Sequence, residues 1–558
     1  MDQNKMPLVE ALAEYKKSGR ISMHIPGHKE NPSAAEELAD LLGKEVLLSD
    51  ITEISGFDDY HKPEGLILQA QELAAEAFGA EESFFLVNGT TSGIMAAVAA
   101  CAGEKERILI EASCHKSVMR GLILSGAEPV YIKDYVDAGT GLPGGISPEE
   151  TERLLEASKA RAVVLSNPSY YGTYSDLKKI VQTAHRHGAV VIADEAHGCH
   201  LRFAPQKCIC DAMSCGADIS VQSLHKMAGS LTQTSLLHVR GDLVDRDRLA
   251  YYIRFLTSTS PSYLLMASLD AARQHMALKG RYEWKQLVDL SDEYSCRLGE
   301  IAGMECIRDF QGPEGALRPL EKGRLLISAA KLGISGWQLD RLLSSSYGID
   351  MEMSDDRFIL AVLGPGSSKS DLDRLEEALK DISKNFCELQ TSDNNSENQS
   401  CGAWLESLKN QHGRALSDSV EDRSGPVSSD AGKARTGISP AAAAGISPEL
   451  KDLISRTAAL DHICEITPRE AAMSHGETID LDYAAERTAA AEIALYPPGI
   501  PLVIPGEKIS LEIIGIIKEA VSAGLHIHGV EASGQDRGKL LVRVAEDRER
   551  SMLFDCIF

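Results

Sequence analysis

Val190-Val191-Ile192-Ala193-Asp194-Glu195-Ala196-His197-Gly198 decides how this chain is read. Four apolar residues, three of them β-branched, run into two carboxylates, a histidine and a glycine. A continuous apolar run of this length suits a strand buried on both faces. The carboxylate at its end falls on the rim where open parallel sheets bind ligands. Outward from this stretch, similar runs recur between about residues 80 and 240: Phe84-Phe85-Leu86-Val87, Ile108-Leu109-Ile110, Pro129-Val130-Tyr131-Ile132, Ala162-Val163-Val164-Leu165 and Ile219-Ser220-Val221. Helix-like segments alternate with them, which predicts an α/β fold with a mostly parallel sheet and helices on both faces. The runs stop at Asn88-Gly89-Thr90-Thr91, Ala112-Ser113-Cys114-His115, Ser166-Asn167-Pro168, Asp194 to His197, and Ser223-Leu224-His225-Lys226. Any chemistry is expected at those stops. Ser147-Pro148-Glu149-Glu150 predicts a helix start, with Ser147 as N-cap and Glu150 in the capping-box position. The same five-residue string, Gly-Ile-Ser-Pro-Glu, recurs at Gly445 to Glu449 and predicts another helix start.

With 558 residues, 43% of them apolar and 25% charged, the chain has material for several domains and a large core. Asp and Glu number 82 against 57 Lys and Arg, a net charge of −25, which repels nucleic acid and anionic membranes. Met1 to Lys5 does not open a secretory leader, and the uncharged stretch Ser83 to Gly103 carries too many polar residues for a membrane span. A cytoplasmic location is expected. The twelve cysteines are scattered, and Cys208, Cys210 and Cys215 form no Cys-x-x-Cys pair, so reduced thiols are expected. Composition divides the chain into an N-terminal arm (1–64), a large domain (65–265), a small α/β domain (266–390), a flexible linker (391–445) and a C-terminal α+β domain (446–558). The linker has room for a short helix around Trp404 to Leu408. The C-terminal domain contains the rigid turn Tyr496-Pro497-Pro498-Gly499-Ile500-Pro501.

Taken singly, the candidate groups are ordinary. Asn88 to Gly93 reads as a phosphate-binding turn or as a plain helix cap. Asp194 reads as a partner for a protonated ring nitrogen or as an N-cap. Lys226 reads as an amine for covalent attachment or as a surface lysine. In this order, with the lysine about thirty residues after the aspartate, they resemble the layout of a pyridoxal-phosphate enzyme of the aspartate-aminotransferase fold, fold type I. The resemblance narrows with Ile21-Ser22-Met23-His24-Ile25-Pro26-Gly27-His28-Lys29, Asp50-Ile51-Thr52-Glu53, Phe57-Asp58-Asp59-Tyr60-His61, Ser223-Leu224-His225-Lys226, Thr257 to Ser262 and the Pro497-Pro498-Gly499 turn. Together these resemble the bacterial ornithine/lysine/arginine decarboxylase family, in its shorter Gram-positive type without a wing domain.

What the resemblance implies is specific. The cofactor is pyridoxal 5′-phosphate on a seven-stranded, mostly parallel sheet. Lys226 attaches the cofactor, Asp194 pairs with its ring nitrogen, and His115 stacks on the ring. His197 lies beside the ring. Thr90, Thr91, Ser223 and His225 bind the phosphate or orient the lysine. The segment Thr257 to Ser262 reaches the partner's phosphate, making the active unit a homodimer with shared sites and leaving a higher oligomer open. The reaction is loss of carbon dioxide from a basic L-amino acid, giving agmatine, cadaverine or putrescine, with Lys226 or a nearby histidine returning a proton to Cα. A basic side chain needs an acidic partner. Glu465, Glu470, Glu477 and Glu492 are the candidates, with Glu477 and Glu492 placed first. His24 with His28, and His197 with Cys199 and His200, are incomplete as ligand sets, so no metal is expected. Two other readings remain: a different pyridoxal-phosphate reaction (aminotransferase or carbon–carbon lyase), and a non-catalytic decarboxylase-like regulator. The presence of both Lys226 and Asp194 argues against the second of these.

Overall fold

Seven strands form the central sheet: β1 (Glu82–Leu86), β2 (Arg107–Glu111), β3 (Glu128–Ile132), β4 (Ala162–Ser166), β5 (Val190–Asp194), β6 (Ile219–Gln222) and β7 (Ser235–Val239). Their order is β1-β7-β6-β5-β4-β2-β3. The computed structural model describes residues 1–204, 209–392, 464–496, 500–522, 526–532 and 539–545, with 456, 460 and 462. β6, β5, β4, β2 and β3 pair in parallel. β7 is antiparallel to both β6 and β1, so β1 again runs with the majority. Six strands therefore end on one edge, and β7 begins there.

The pleat distributes the apolar runs as expected. Ile108, Ile110, Val164, Ile192 and Val221 join a core with the helices Gly89–Cys101, Lys116–Ser125 and Arg246–Phe255. Leu109, Val163, Leu165, Val191 and Ala193 point the other way, against Pro148–Ser158 and Leu177–Arg186. Strand β7 lacks a continuous apolar run because it carries His238. That ring is fully buried, bonded through Nδ1 to Ser83 Oγ at 2.7 Å and stacked on Phe78.

Two local expectations are corrected. Ser147 does cap its helix, accepting from the amides of Glu149 and Glu150, but no reciprocal box forms. The Glu150 carboxylate turns to Arg153, at 2.6 and 2.8 Å, where a charge-assisted fork outcompetes a single backbone donor. The cysteines are not all reduced thiols either. Cys210 and Cys215 are joined in a disulfide, because the turn between them brings their Cα atoms to 6.5 Å.

A second sheet, β12-β13-β11-β8, is antiparallel; it comprises β8 (Glu305–Ile307), β11 (Arg324–Ser328), β12 (Met353–Ser354) and β13 (Ile359–Val362). Between β8 and β11 lies the hairpin β9 (Asp309–Gln311) and β10 (Leu317–Pro319). The helices Arg281–Gly299, Gly336–Tyr347 and Lys369–Ser392 complete its core. The last helix carries ordered structure through Thr391 and Ser392. Toward the C-terminus, β14 (Glu477–Asp480), β15 (Ile493–Tyr496), β16 (Ile500–Val503), β17 (His526–His528), β18 (Val530–Ala532) and β19 (Leu540–Val544) make two three-stranded sheets. They pack on the helix Leu511–Ser522. The Arg469 guanidinium ties this part to the central unit by donating from Nε to the Ile123 carbonyl at 2.8 Å. The rest of the expected linker, its helix at Trp404 to Leu408, the helix start at Gly445 to Glu449 and the turn residues Pro497 to Gly499 lie outside the described residues. Among the described residues no helix is long and apolar enough to cross a membrane.

Candidate active site

The shared strand edge opens into a cavity of about 300 Å³. Each strand stop singled out in the sequence contributes to its wall: Thr90 and Thr91 after β1, His115 after β2, Ser166 and Pro168 at β4, Asp194 and His197 at β5, and Ser223, His225 and Lys226 after β6. A larger hollow of about 640 Å³, between the helices Arg281–Gly299 and Lys369–Ser392, carries none of these groups.

Lys226 sits on the short helical turn Leu224–Met227 that follows β6, and its Nζ lies 2.8 Å from His197 Nε2. The side chain is open to water in the cavity and has protein on its other sides. That burial lowers the amine's proton affinity, against the pull of the Asp194 and Glu352 carboxylates. Burial also pushes His197 well below the usual imidazole range, and the charges of Lys226 and Arg324 add to it. His197 is thus a neutral ring in hydrogen-bond contact with the Lys226 amine. Asp194 closes β5, is 6% exposed, and accepts the amide of Ala196 at 3.1 Å. Burial raises its carboxyl, while that amide and Lys226 lower it. His115 caps the helix Lys116–Ser125. Its Nδ1 accepts the Ser117 amide at 3.2 Å, which fixes the ring's orientation. Burial, then the nearby cations, lower its pKa to about 4.

Thr90 Oγ1 bridges Ser223 Oγ at 2.6 Å and Ser235 Oγ at 2.7 Å, locking the helix start of Gly89–Cys101 to β6 and β7. Asn88 precedes that helix without capping it by its side chain, which donates instead to the Leu256 carbonyl at 2.8 Å. The Asn88 side chain thus leaves the first turn uncapped, and Gly89, Thr90 and Thr91 line the cavity. His225 donates from Nδ1 to the Thr234 carbonyl at 2.8 Å.

The carboxylates proposed for a basic side chain take other places. Glu477 is exposed on β14 and pairs with Arg487 at 2.6 Å; Glu492 pairs with Arg120 at 3.0 Å. Glu465 pairs with Lys508, and Glu470 closes a capping box with Thr467. Among the described residues none of these four lines the cavity, whereas Glu352 does. The Tyr170 hydroxyl donates to Glu352 Oε1 at 2.5 Å, and its ring meets His197 edge-on at 4.7 Å. Glu352 and Tyr170 were missed because neither belongs to a strand stop of the apolar runs. His24 and His28 face Glu30 and Asp50, and His200 turns away from His197 to Glu321.

Does this set fit pyridoxal phosphate? Hydroxyls, a strand-end carboxylate and a lysine amine line one cavity. His197 Nδ1 is buried with no partner among the described residues. Buried polar atoms are nearly always paired, so this one marks a place for a bound group to complete. The fold and this donor set define the class: a pyridoxal-phosphate enzyme of fold type I.

Comparison with known proteins gives the family. The model for the Orn/Lys/Arg decarboxylase major domain matches residues 6–314, and that for the C-terminal domain matches 455–546. Arginine decarboxylase of Bacillus subtilis (strain 168) is 35% identical over 534 residues, covering 96% of this chain and 97% of the relative. Arginine decarboxylase of Bacillus anthracis is 33% identical over 533 residues, covering 95% and 96%. The crystal structure of Francisella novicida lysine decarboxylase shares the fold with a TM-score of 0.79 at 21% identity, over 97% of this chain and 82% of that one. The chain belongs to the Orn/Lys/Arg decarboxylase family. It is a pyridoxal-phosphate-dependent decarboxylase of a basic amino acid.

Proposed function

We propose that the substrate is L-arginine and that Lys226, His197, His115 and Asp194 carry the reaction in the strand-edge cavity. Support for arginine is that the two Bacillus relatives above, matched over nearly the whole chain, are named arginine decarboxylases. The observation that carries the site is the 2.8 Å contact between Lys226 and His197 in a cavity that also holds Asp194, His115 and Thr90.

When bound, pyridoxal phosphate supplies a ring that takes up the electron pair of the breaking Cα–carboxylate bond. The chain's own residues do the rest. Lys226, its amine made easier to deprotonate by burial, would hold the cofactor covalently. The Asp194 carboxylate would hold a proton on the ring nitrogen. His115, neutral at pH 7, would stack on the ring without adding positive charge. Thr90, Thr91, Ser223 and His225, with the first-turn amides, hold the phosphate. Once carbon dioxide has left, Lys226 would deliver a proton to Cα, its Nζ held 2.8 Å from His197 Nε2. Glu352, rather than the paired Glu477 and Glu492, is the carboxylate we assign to the guanidinium of the substrate, because it lines the cavity. The active unit is a homodimer in the cytoplasm, with Thr257 to Ser262 reaching the partner's site.

The test is carbon dioxide release by the full chain with the cofactor, offered arginine, lysine and ornithine. Release is expected chiefly from arginine and is expected to vanish in Lys226→Ala. Preference for lysine or ornithine would overturn the substrate reading, and release from none of the three would overturn the site.

A further inference from the structure

Behind the cavity wall lies a charged cluster whose members do not line the cavity. The side chains of Arg324, Glu321 and His200 are 0% exposed. Glu321 Oε1 sits 2.7 Å from His200 Nε2 and also takes the Gly323 amide at 2.6 Å; Oε2 pairs with Arg324. His200 stacks on the fully buried Trp284 indole at 4.0 Å. Withdrawing such groups from water costs several kcal/mol per ion, and an apolar filling is often as stable. Stability alone is a poor account of the cluster.

Its other end suggests a better one. Arg324 Nε donates to the Tyr170 carbonyl at 3.0 Å, and a terminal nitrogen reaches the His197 carbonyl at 3.4 Å. The Glu321 amide donates to the Gly172 carbonyl at 2.9 Å. Gly172 has φ +93°, and a Cβ there would come within 2.8 Å of Arg324 Cδ. The arginine begins β11 of the second sheet, while Tyr170 and His197 follow β4 and β5 of the first. One guanidinium thus spans two strand-end loops from a different sheet, and both loops place rings in the cavity.

We infer that Arg324 is a positioning residue for the decarboxylation: clamped by Glu321, which His200 holds in turn, it fixes the main chain of Tyr170 and His197 and so holds the His197 ring at Lys226. The inference rests on the reading of Lys226 as the cofactor-bearing lysine. A second effect follows from the same placement. The Arg324 cation adds to the influences that make Lys226 and His197 harder to protonate.

The experiment measures, across pH, the rate at which cofactor-stripped full-length protein takes up pyridoxal phosphate, followed by the absorbance of the bound cofactor. Loading needs the neutral amine, so its pH midpoint reports the amine's proton affinity. Steady-state kcat and KM for arginine are measured beside it. Arg324→Met is expected to raise the midpoint, and at a fixed pH below it loading slows about tenfold for each pH unit the midpoint rises. Glu321→Gln, which keeps the side chain's size and leaves the arginine without its counter-ion, is expected to lower the midpoint. Arg324→Lys should keep the midpoint and still lower kcat more than it raises KM, because the forked geometry is lost. Midpoint changes of opposite sign are not what generic loosening produces. If Arg324→Met fails to fold, Glu321→Gln and Arg324→Lys still decide. An unchanged or raised midpoint in Glu321→Gln, an unchanged or lowered one in a folded Arg324→Met, or an unchanged kcat in Arg324→Lys overturns the inference. Loading unaffected by Lys226→Ala would instead overturn the reading of the site.

Discussion

Replacing Gly93 with alanine should weaken cofactor binding without touching any group in the cavity. Gly93 lies in the helix Gly89–Cys101, where that helix crosses the sheet. A Cβ built on it falls 2.5 Å from Leu86 Cδ1 and 2.6 Å from Val221 Cγ1. Carbon–carbon contacts settle near about 3.5–4.0 Å, so each overlap is about 1 Å. Neither neighbour has room to yield: Leu86 is 1% exposed and Val221 0%. Overpacking of this kind costs about 1–3 kcal/mol, and alanine returns about 1 kcal/mol of helix propensity. A net loss of up to about 2 kcal/mol remains. The helix can relieve the clash by lifting off the sheet, which carries Thr90 away from Ser223 and Ser235 and shifts the phosphate-binding turn. About 1.4 kcal/mol of lost positioning is tenfold in affinity. The assay is cofactor titration by absorbance beside thermal melting, with Gly515→Ala as the control. Gly515 is also helical, but its added Cβ meets nothing within 4 Å. That variant should gain about 0.5–1 kcal/mol and bind cofactor normally. Equal affinity and equal melting temperature in the two variants would refute the argument from helix–sheet distance.

Glu195→Gln should flatten part of the pH dependence of stability. Burial pushes the Glu195 carboxyl up to about 8, helped by Asp211 and opposed by donors on Gln222, Ser220 and Ala212. The unfolded carboxyl titrates near about 4.3, so between those values the folded chain holds a proton the unfolded chain lacks. Stability from this group therefore falls as pH rises, by about 1.4 kcal/mol per unit, and the loss is complete above about pH 8. Urea unfolding of both proteins at two pH values inside that window checks it, and parallel behaviour would count against the buried, protonated Glu195. Glu352→Gln should raise KM for arginine about tenfold or more, with a smaller change in kcat, because a charge-assisted hydrogen bond is lost. Equal loss in binding a neutral isostere of arginine would show that Glu352 shapes the cavity rather than reading charge.

Much of the site was legible because its groups sit at the stops of continuous apolar runs. A strand buried on both faces cannot hide its end, so Thr90, His115, Asp194, Ser223 and Lys226 stood out before their neighbours were known. Strand β7 did not, since Ser235 and His238 interrupt it. Both are buried because Thr90 and Ser83 supply partners from elsewhere in the chain. No motif or apolar run singles out Glu352, Arg324 or Glu321 in the sequence. The folding of the second sheet against the first places Glu352 at the cavity and the other two behind its wall, and no local pattern encodes that docking. The Cys210–Cys215 bridge was hidden for a related reason. A five-residue spacing says nothing about Cα separation until the turn between the cysteines is built.

The claim at the centre of this account is that Lys226, at the end of β6, is where the cofactor is held. Borohydride reduction of the loaded protein, followed by digestion and mass mapping, tests it most directly. The account expects the reduced pyridoxyl-phosphate mass on the peptide containing Ser223-Leu224-His225-Lys226, at Lys226. The same mass on another lysine, or on no peptide while arginine is still decarboxylated, would contradict it.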